Sequence, residues 1–112
     1  MRMQKLGKLF LALFLLHFLA LQVADAVDFT FYRRLNCLGD VVGTYTDVAK
    51  DTCAPCDTRA VSVKVTNATD CQKSYAYVTS STCSQPDWSS ATGEYCHTAK
   101  WIYSGALWRD LC

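Results

Sequence analysis

Seven cysteines and one histidine, His97, are the side chains beyond the first 26 residues of this 112-residue chain best equipped for chemistry. Cys53-Ala54-Pro55-Cys56 has the C-x-x-C spacing of a dithiol redox pair, and Cys96-His97 sets a thiol beside an imidazole. Cys53, Cys56, Cys96 and His97 together hold the ligand types of a zinc site. Each reading meets a physical objection. A redox pair needs a helix N-terminus to lower its thiol pKa, whereas Asp57-Thr58-Arg59-Ala60-Val61-Ser62-Val63 reads as turn and strand. Neighbours in a strand point to opposite faces, so Cys96 and His97 are badly placed to act as nucleophile and base or to share one tetrahedral ion. The expectation is no catalytic residue, no metal and no cofactor. Cys37, Cys53, Cys56, Cys71, Cys83, Cys96 and Cys112 are read instead as a disulfide framework with one odd member. Seven choices of the odd residue times 15 pairings of the rest leave 105 arrangements, and spacing does not select among them.

The compartment that would oxidise these thiols is written at the start of the chain. Arg2, Lys5 and Lys8 precede thirteen residues, 9–21, that are apolar except for His17. Ala24 and Ala26 then form an A-x-A site, so residues 1–26 are expected to be a cleaved helical signal peptide. The apolar run is shorter than the ~20 residues a membrane span needs. The expected mature domain, residues 27–112, is secreted and carries 8 basic and 9 acidic side chains, a net charge of −1. That balance excludes a strongly basic nucleic-acid binder, since phosphate neutralisation needs clustered Lys and Arg. A domain of 86 residues buries too little surface to be comfortable without staples, and each bridge adds roughly 2–4 kcal/mol.

The elements that must position these residues read as strands. The mature region has eleven threonines and eight valines but four leucines and no methionine, and β-branched residues suit a pleated surface. Val61, Val63 and Val65 alternate with Ser62, Lys64 and Thr66. Residues 27–32, 43–48, 74–79 and 101–108 are the other candidate strands, separated by polar turns at 38–40, 54–55, 67–70, 84–90 and Gly105. The fold class is all-β, a small disulfide-stapled sandwich or barrel.

A weak internal repeat runs through these strands. Phe29-Thr30-Phe31-Tyr32, Cys37, Cys53 and Ser62-Val63-Lys64-Val65 are answered by Tyr75-Ala76-Tyr77-Val78, Cys83, Cys96 and residues 101–108. A unit of this size suits a four-stranded Greek key. The pattern F-x-F-Y, turn glycine, S-V-x-V resembles the βγ-crystallin Greek-key motif. That resemblance makes Phe31 and Tyr32 the aromatic strand, Gly39 the turn glycine and Ser62 the serine that caps the folded hairpin. The cysteine-rich form is also similar to small secreted fungal proteins of effector or killer-toxin-like type. A Greek-key unit sets its first and fourth strands side by side, which implies a Cys71–Cys112 bridge. It further implies Cys83–Cys96 within the second half and Cys37 with Cys53 or Cys56 in the first. The calcium signature of the family is absent, since Gln85 and Pro86 stand where Asn or Asp belongs before Ser89-Ser90.

Three surface features complete the reading. Asn67-Ala68-Thr69 is an N-glycosylation sequon in a polar turn. Trp88, in a polar loop, is the candidate binding residue, as a hot spot or a platform for a sugar; the competing reading lays it flat on the small core. Arg33-Arg34 reads as a solvated hairpin end, since cleavage there would remove the first strand. The function expected is non-enzymatic: an effector-like protein that binds an extracellular or host-cell protein target, with no nucleic-acid partner. The alternatives are an antimicrobial or killer-toxin-like membrane-active protein, which the charge of −1 disfavours, and an inhibitor of a secreted hydrolase.

Overall fold

The structure, a computed structural model, describes residues 26–84 and 87–112, without the side chains of residues 99–101. The expected signal peptide, apart from Ala26, lies outside the described residues, as do Gln85 and Pro86 of the turn before Trp88. The rest is all-β: β1 (Val27–Tyr32), β2 (Val41–Val48), β3 (Ala54–Thr66), β4 (Gln72–Val78), β5 (Trp88–Thr92) and β6 (Tyr95–Asp110), with one 3-10 turn at Leu35–Cys37. Every pairing is antiparallel, in the order β2-β1-β3-β6-β4-β5.

This order is an exchange symmetry. β1 pairs with β2 and β3, and β4 pairs with β5 and β6 in the same way. Along the β3–β6 seam, Ala54 faces Ala106 and Val63 faces His97; 97 − 54 and 106 − 63 both equal 43, so the two pairs exchange when the halves are swapped. Ala60 faces Tyr103 and maps onto itself, which places the pseudo-twofold axis there. The register breaks on both sides of that pair, across residues 56–59 of β3 and 99–102 of β6. Bulges of this kind bend a strand and redirect it. Residues 62–66 of β3 thus lie beside β1, while Ala54 and Pro55 lie beside Ala106 and Gly105 of the other half. The first run of β6 likewise crosses to β3, and its second run lies beside β4.

The alternation read in the sequence sets the core. Val27, Phe29, Phe31, Val63 and Val65 of the first half meet Ala76, Ala106 and Trp108 of the second, all essentially inaccessible to water. Two bonds tie the end of β2 and the loop after it to β6: Trp108 Nε1 donates to Val48 O at 2.7 Å, and Asp51 N donates to Trp108 O at 2.9 Å. Ser62 Oγ donates to Arg34 O at 2.5 Å and accepts from Cys37 N at 2.9 Å, so this serine holds the loop that follows the aromatic strand.

Three strands depart from the sequence reading. β3 extends back to Ala54 through Pro55, a segment read as a turn; its missing N–H is tolerated at the end of a ladder beside a bulge. β6 begins at Tyr95, because its first run belongs to the other half's neighbourhood. β5 lies where residues 84–90 read as a turn: Trp-Ser-Ser-Ala-Thr is too poor in bulky apolar groups to signal an edge strand by itself.

The disulfides follow the crossing runs. Cys71 pairs with Cys112, Cα atoms 5.2 Å apart, because the two residues flank neighbouring strands β4 and β6. The expected Cys83–Cys96 and Cys37–Cys53 or Cys37–Cys56 pairings are corrected. Cys37 joins Cys96 and Cys53 joins Cys83, at Cα separations of 6.1 and 5.8 Å. Each bond ties the loop after one half's first strand to the start of the other half's long strand, and the two bonds exchange under the pseudo-twofold. The expectation kept each half's cysteines together, whereas the bulges send the runs next to Cys53 and Cys96 across. Cys56 is the odd cysteine, buried and unpaired, and is therefore removed from the disulfide set.

Candidate functional site

The chemistry suggested by the cysteines is not assembled. Cys53 of the C-x-x-C pair is bonded to Cys83, while the Cys56 thiol turns inward to Thr58 O at 3.2 Å. Burial pushes the Cys56 thiol pKa up, so it is a poor nucleophile. The sulfurs of Cys53 and Cys96 are in disulfides and unavailable as zinc ligands. Cys96 and His97 point apart, Cys96 to the Cys37 bridge and His97 into the core.

His97 organises a buried polar cluster whose partners the sequence alone did not single out. Its Nε2 lies 2.7 Å from Ser74 Oγ, and its Nδ1 is hydrogen-bonded to Ser89 Oγ. Ser74 Oγ also donates to Ala91 O at 3.4 Å, so the consistent arrangement has Nε2–H donating to Ser74 and Nδ1 accepting from Ser89. Desolvation by burial lowers the His97 pKa from the ordinary 6.5 to about 4. The imidazole is neutral at physiological pH and a weak base. The hydroxyl of Tyr103, at the pseudo-twofold axis, is buried, and burial raises its pKa. By position and protonation state this cluster joins the two halves rather than meeting solvent.

The outer face of β4, β5 and β6 is a different environment. Side chains alternate across a strand, so Lys73, Tyr75 and Tyr77 leave β4 on the side away from Ser74 and Ala76. Cross-strand register adds Trp88 beside Tyr77, and Leu107 and Arg109 beside Tyr75 and Lys73. Trp88 is half-exposed and packs on both tyrosines, with ring centroids 6.3 Å from Tyr75 and 6.1 Å from Tyr77. Lys73 Nζ and Arg109 Cζ each lie 5.5 Å from the Tyr75 ring centroid, in cation–π range. Arg109 Nε is held by Asp51 Oδ1 at 3.1 Å, which aims the guanidinium along the face. Tyr77 and Leu107 are buried here although neither belongs to the central core, so this face has a small apolar floor of its own.

The exchange symmetry supplies an internal control. The same outer positions of the first half carry Asp28, Thr30 and Tyr32 on β1, Val41 on β2, and Lys64 and Thr66 on β3. The frame therefore forms without a tryptophan–tyrosine cluster. Trp88 does not lie on the core, as one reading of the sequence had it, but on this outer face. Tyr75 and Tyr77 were legible as a same-face pair from their spacing; Arg109 and Lys73 became partners only through the register. Asn67 stands exposed after β3, where its backbone N–H donates to Glu94 Oε2 at 2.9 Å and its side-chain amide is bonded to Asp28.

No protein-family profile, no curated protein and no solved structure matches this chain.

Proposed function

We propose that this chain is a secreted, non-enzymatic recognition protein, effector-like in build, that binds an extracellular or host-cell protein through the face formed by Tyr75, Tyr77, Trp88, Lys73 and Arg109. The observation that carries this reading is the contrast between the two outer faces of one repeated frame. Tryptophan, tyrosine and arginine are the residue types that anchor protein interfaces, and here they cluster on a rigid sheet where the repeat needs none of them. Three disulfides fit an oxidising compartment, and Asn67 is an exposed asparagine within a glycosylation sequon. The finer fold assignment, a Greek-key sandwich resembling βγ-crystallins, is supported by the hairpin-holding role of Ser62 and by the crossing runs of β3 and β6.

The test is capture from extracellular fluid with the oxidised protein. The wild type and a Thr30→Ala control, altered on the first half's face, should retain one and the same partner. Trp88→Ala and Arg109→Ala should lose it while keeping the wild-type thermal midpoint. Equal capture by all four proteins would overturn the assignment of the face.

A further inference from the structure

β5 ends the sheet, and the hydrogen-bond register shows which of its backbone groups are open. Gly93 N donates to Gln72 O at 3.0 Å and Val78 N donates to Asp87 O at 2.9 Å. Between these bonds the register runs unbroken from Lys73–Thr92 to Tyr77–Trp88. Antiparallel ladders alternate bonded and non-bonded pairs. Ser89 and Ala91 therefore face β4 with their N–H and C=O groups, and Trp88, Ser90 and Thr92 turn theirs outward. Among the described residues, nothing pairs with those outward groups.

The equivalent edge of the first half is guarded. β2 shifts register against β1 at both ends, Asp47 sits in the left-handed region at φ 54°, and its N–H is taken by Asp28 Oδ1 at 2.8 Å. Bulges and charged residues are how sheet edges avoid pairing. β5 has no register shift and no charged residue from Trp88 to Thr92.

We infer that β5 is the contact by which two copies of this chain associate, their β5 strands pairing antiparallel about a twofold axis at Ser90. That registration sets Ser90 against its own copy and Trp88 of one chain against Thr92 of the other. No like charges oppose each other, and small hydroxyl side chains let the backbones approach. The open groups of three residues per chain make about six main-chain hydrogen bonds. An isologous pair of this kind closes on itself and leaves no further edge at that end of the sheet. It also joins the two aromatic faces into one surface, with the Trp88 residues about 14 Å apart.

Sedimentation equilibrium of the oxidised protein, purified from culture medium and measured across a wide concentration range, should show a reversible dimer. Ser90→Pro removes an outward N–H without breaking the ladder to β4, and should weaken dimerisation about tenfold or more. Amide exchange measured by NMR on the wild type adds a readout that does not depend on the variant folding. Protection of Trp88, Ser90 and Thr92 should rise with concentration, while Ser89 and Ala91 stay protected throughout. A chain that remains monomeric at millimolar concentration, or outward amides whose exchange is independent of concentration, overturns the inference.

Discussion

The two halves share one frame and differ in what fills it. In the first, Phe29 and Phe31 point inward from β1 and the crossing run contributes only Ala54; in the second, the equivalent β4 positions are Ser74 and Ala76, and the crossing run contributes His97. Large and small have traded places, so volume is kept while a hydrophobic contact becomes a hydrogen-bonded one. The exchange repeats under the loops. Ser62 holds the first half's loop with its hydroxyl, whereas Gly105, its counterpart, has no side chain and lets Ser80 O and the Cys53–Cys83 bridge approach directly. Outside, polar residues of the first half are replaced by an aromatic, cationic face in the second. A duplicated fold thus conserves register and covalent ties and leaves faces free to diverge.

The largest effect should come from the two symmetric bridges. Replacing either Cys37–Cys96 or Cys53–Cys83 by serine pairs should cost about 4 kcal/mol, judged from the chain lengths they enclose, 59 and 30 residues. Denaturant titration of the two double variants checks this. One bridge being dispensable would show that the halves are not tied equivalently.

Next comes pH. Above pH 6.5 His97 is neutral whether the chain is folded or not. Between 6.5 and about 4 the unfolded chain takes up the proton and the folded one does not, so stability falls with falling pH across that window, by about 3 kcal/mol in all. His97→Gln should flatten that slope in thermal melts recorded at stepped pH. A slope unchanged by the substitution would place the titrating group elsewhere.

The loop positions should respond unequally. A Cβ built at Gly105 falls 2.6 Å from Ser80 O, so Gly105→Ala should destabilise by about 2 kcal/mol. Ser62→Ala, which orphans Cys37 N and Arg34 O, should cost about 1 kcal/mol. Chemical denaturation of the two variants side by side reads the difference; equal costs would mean that the loop over Gly105 shifts freely.

What the sequence revealed follows the range of the interactions involved. Val61, Val63 and Val65 announced a strand because their alternation is local, and Cys71–Cys112 was within reach because both residues flank strands that lie side by side. Cys37–Cys96 was not, since its partner depends on a bulge that carries Tyr95 to Thr98 across to the other half, and a bulge has no composition of its own. Trp88 stood out by type and Tyr75 with Tyr77 by spacing. Arg109 joined them only once β6 had been registered against β4. The Ser74–His97–Ser89 cluster was hidden for the same reason, as its members lie on three strands.

The second half's outer face, and not the frame beneath it, is proposed to carry recognition. The double variant Tyr75→Thr/Trp88→Val writes the first half's residues, Thr30 and Val41, onto the second half. Its capture of the extracellular partner, measured beside its thermal midpoint, is the most direct test. The expected result is a midpoint within about 4 °C of wild type and no capture. Capture at the wild-type level by the folded variant would contradict it.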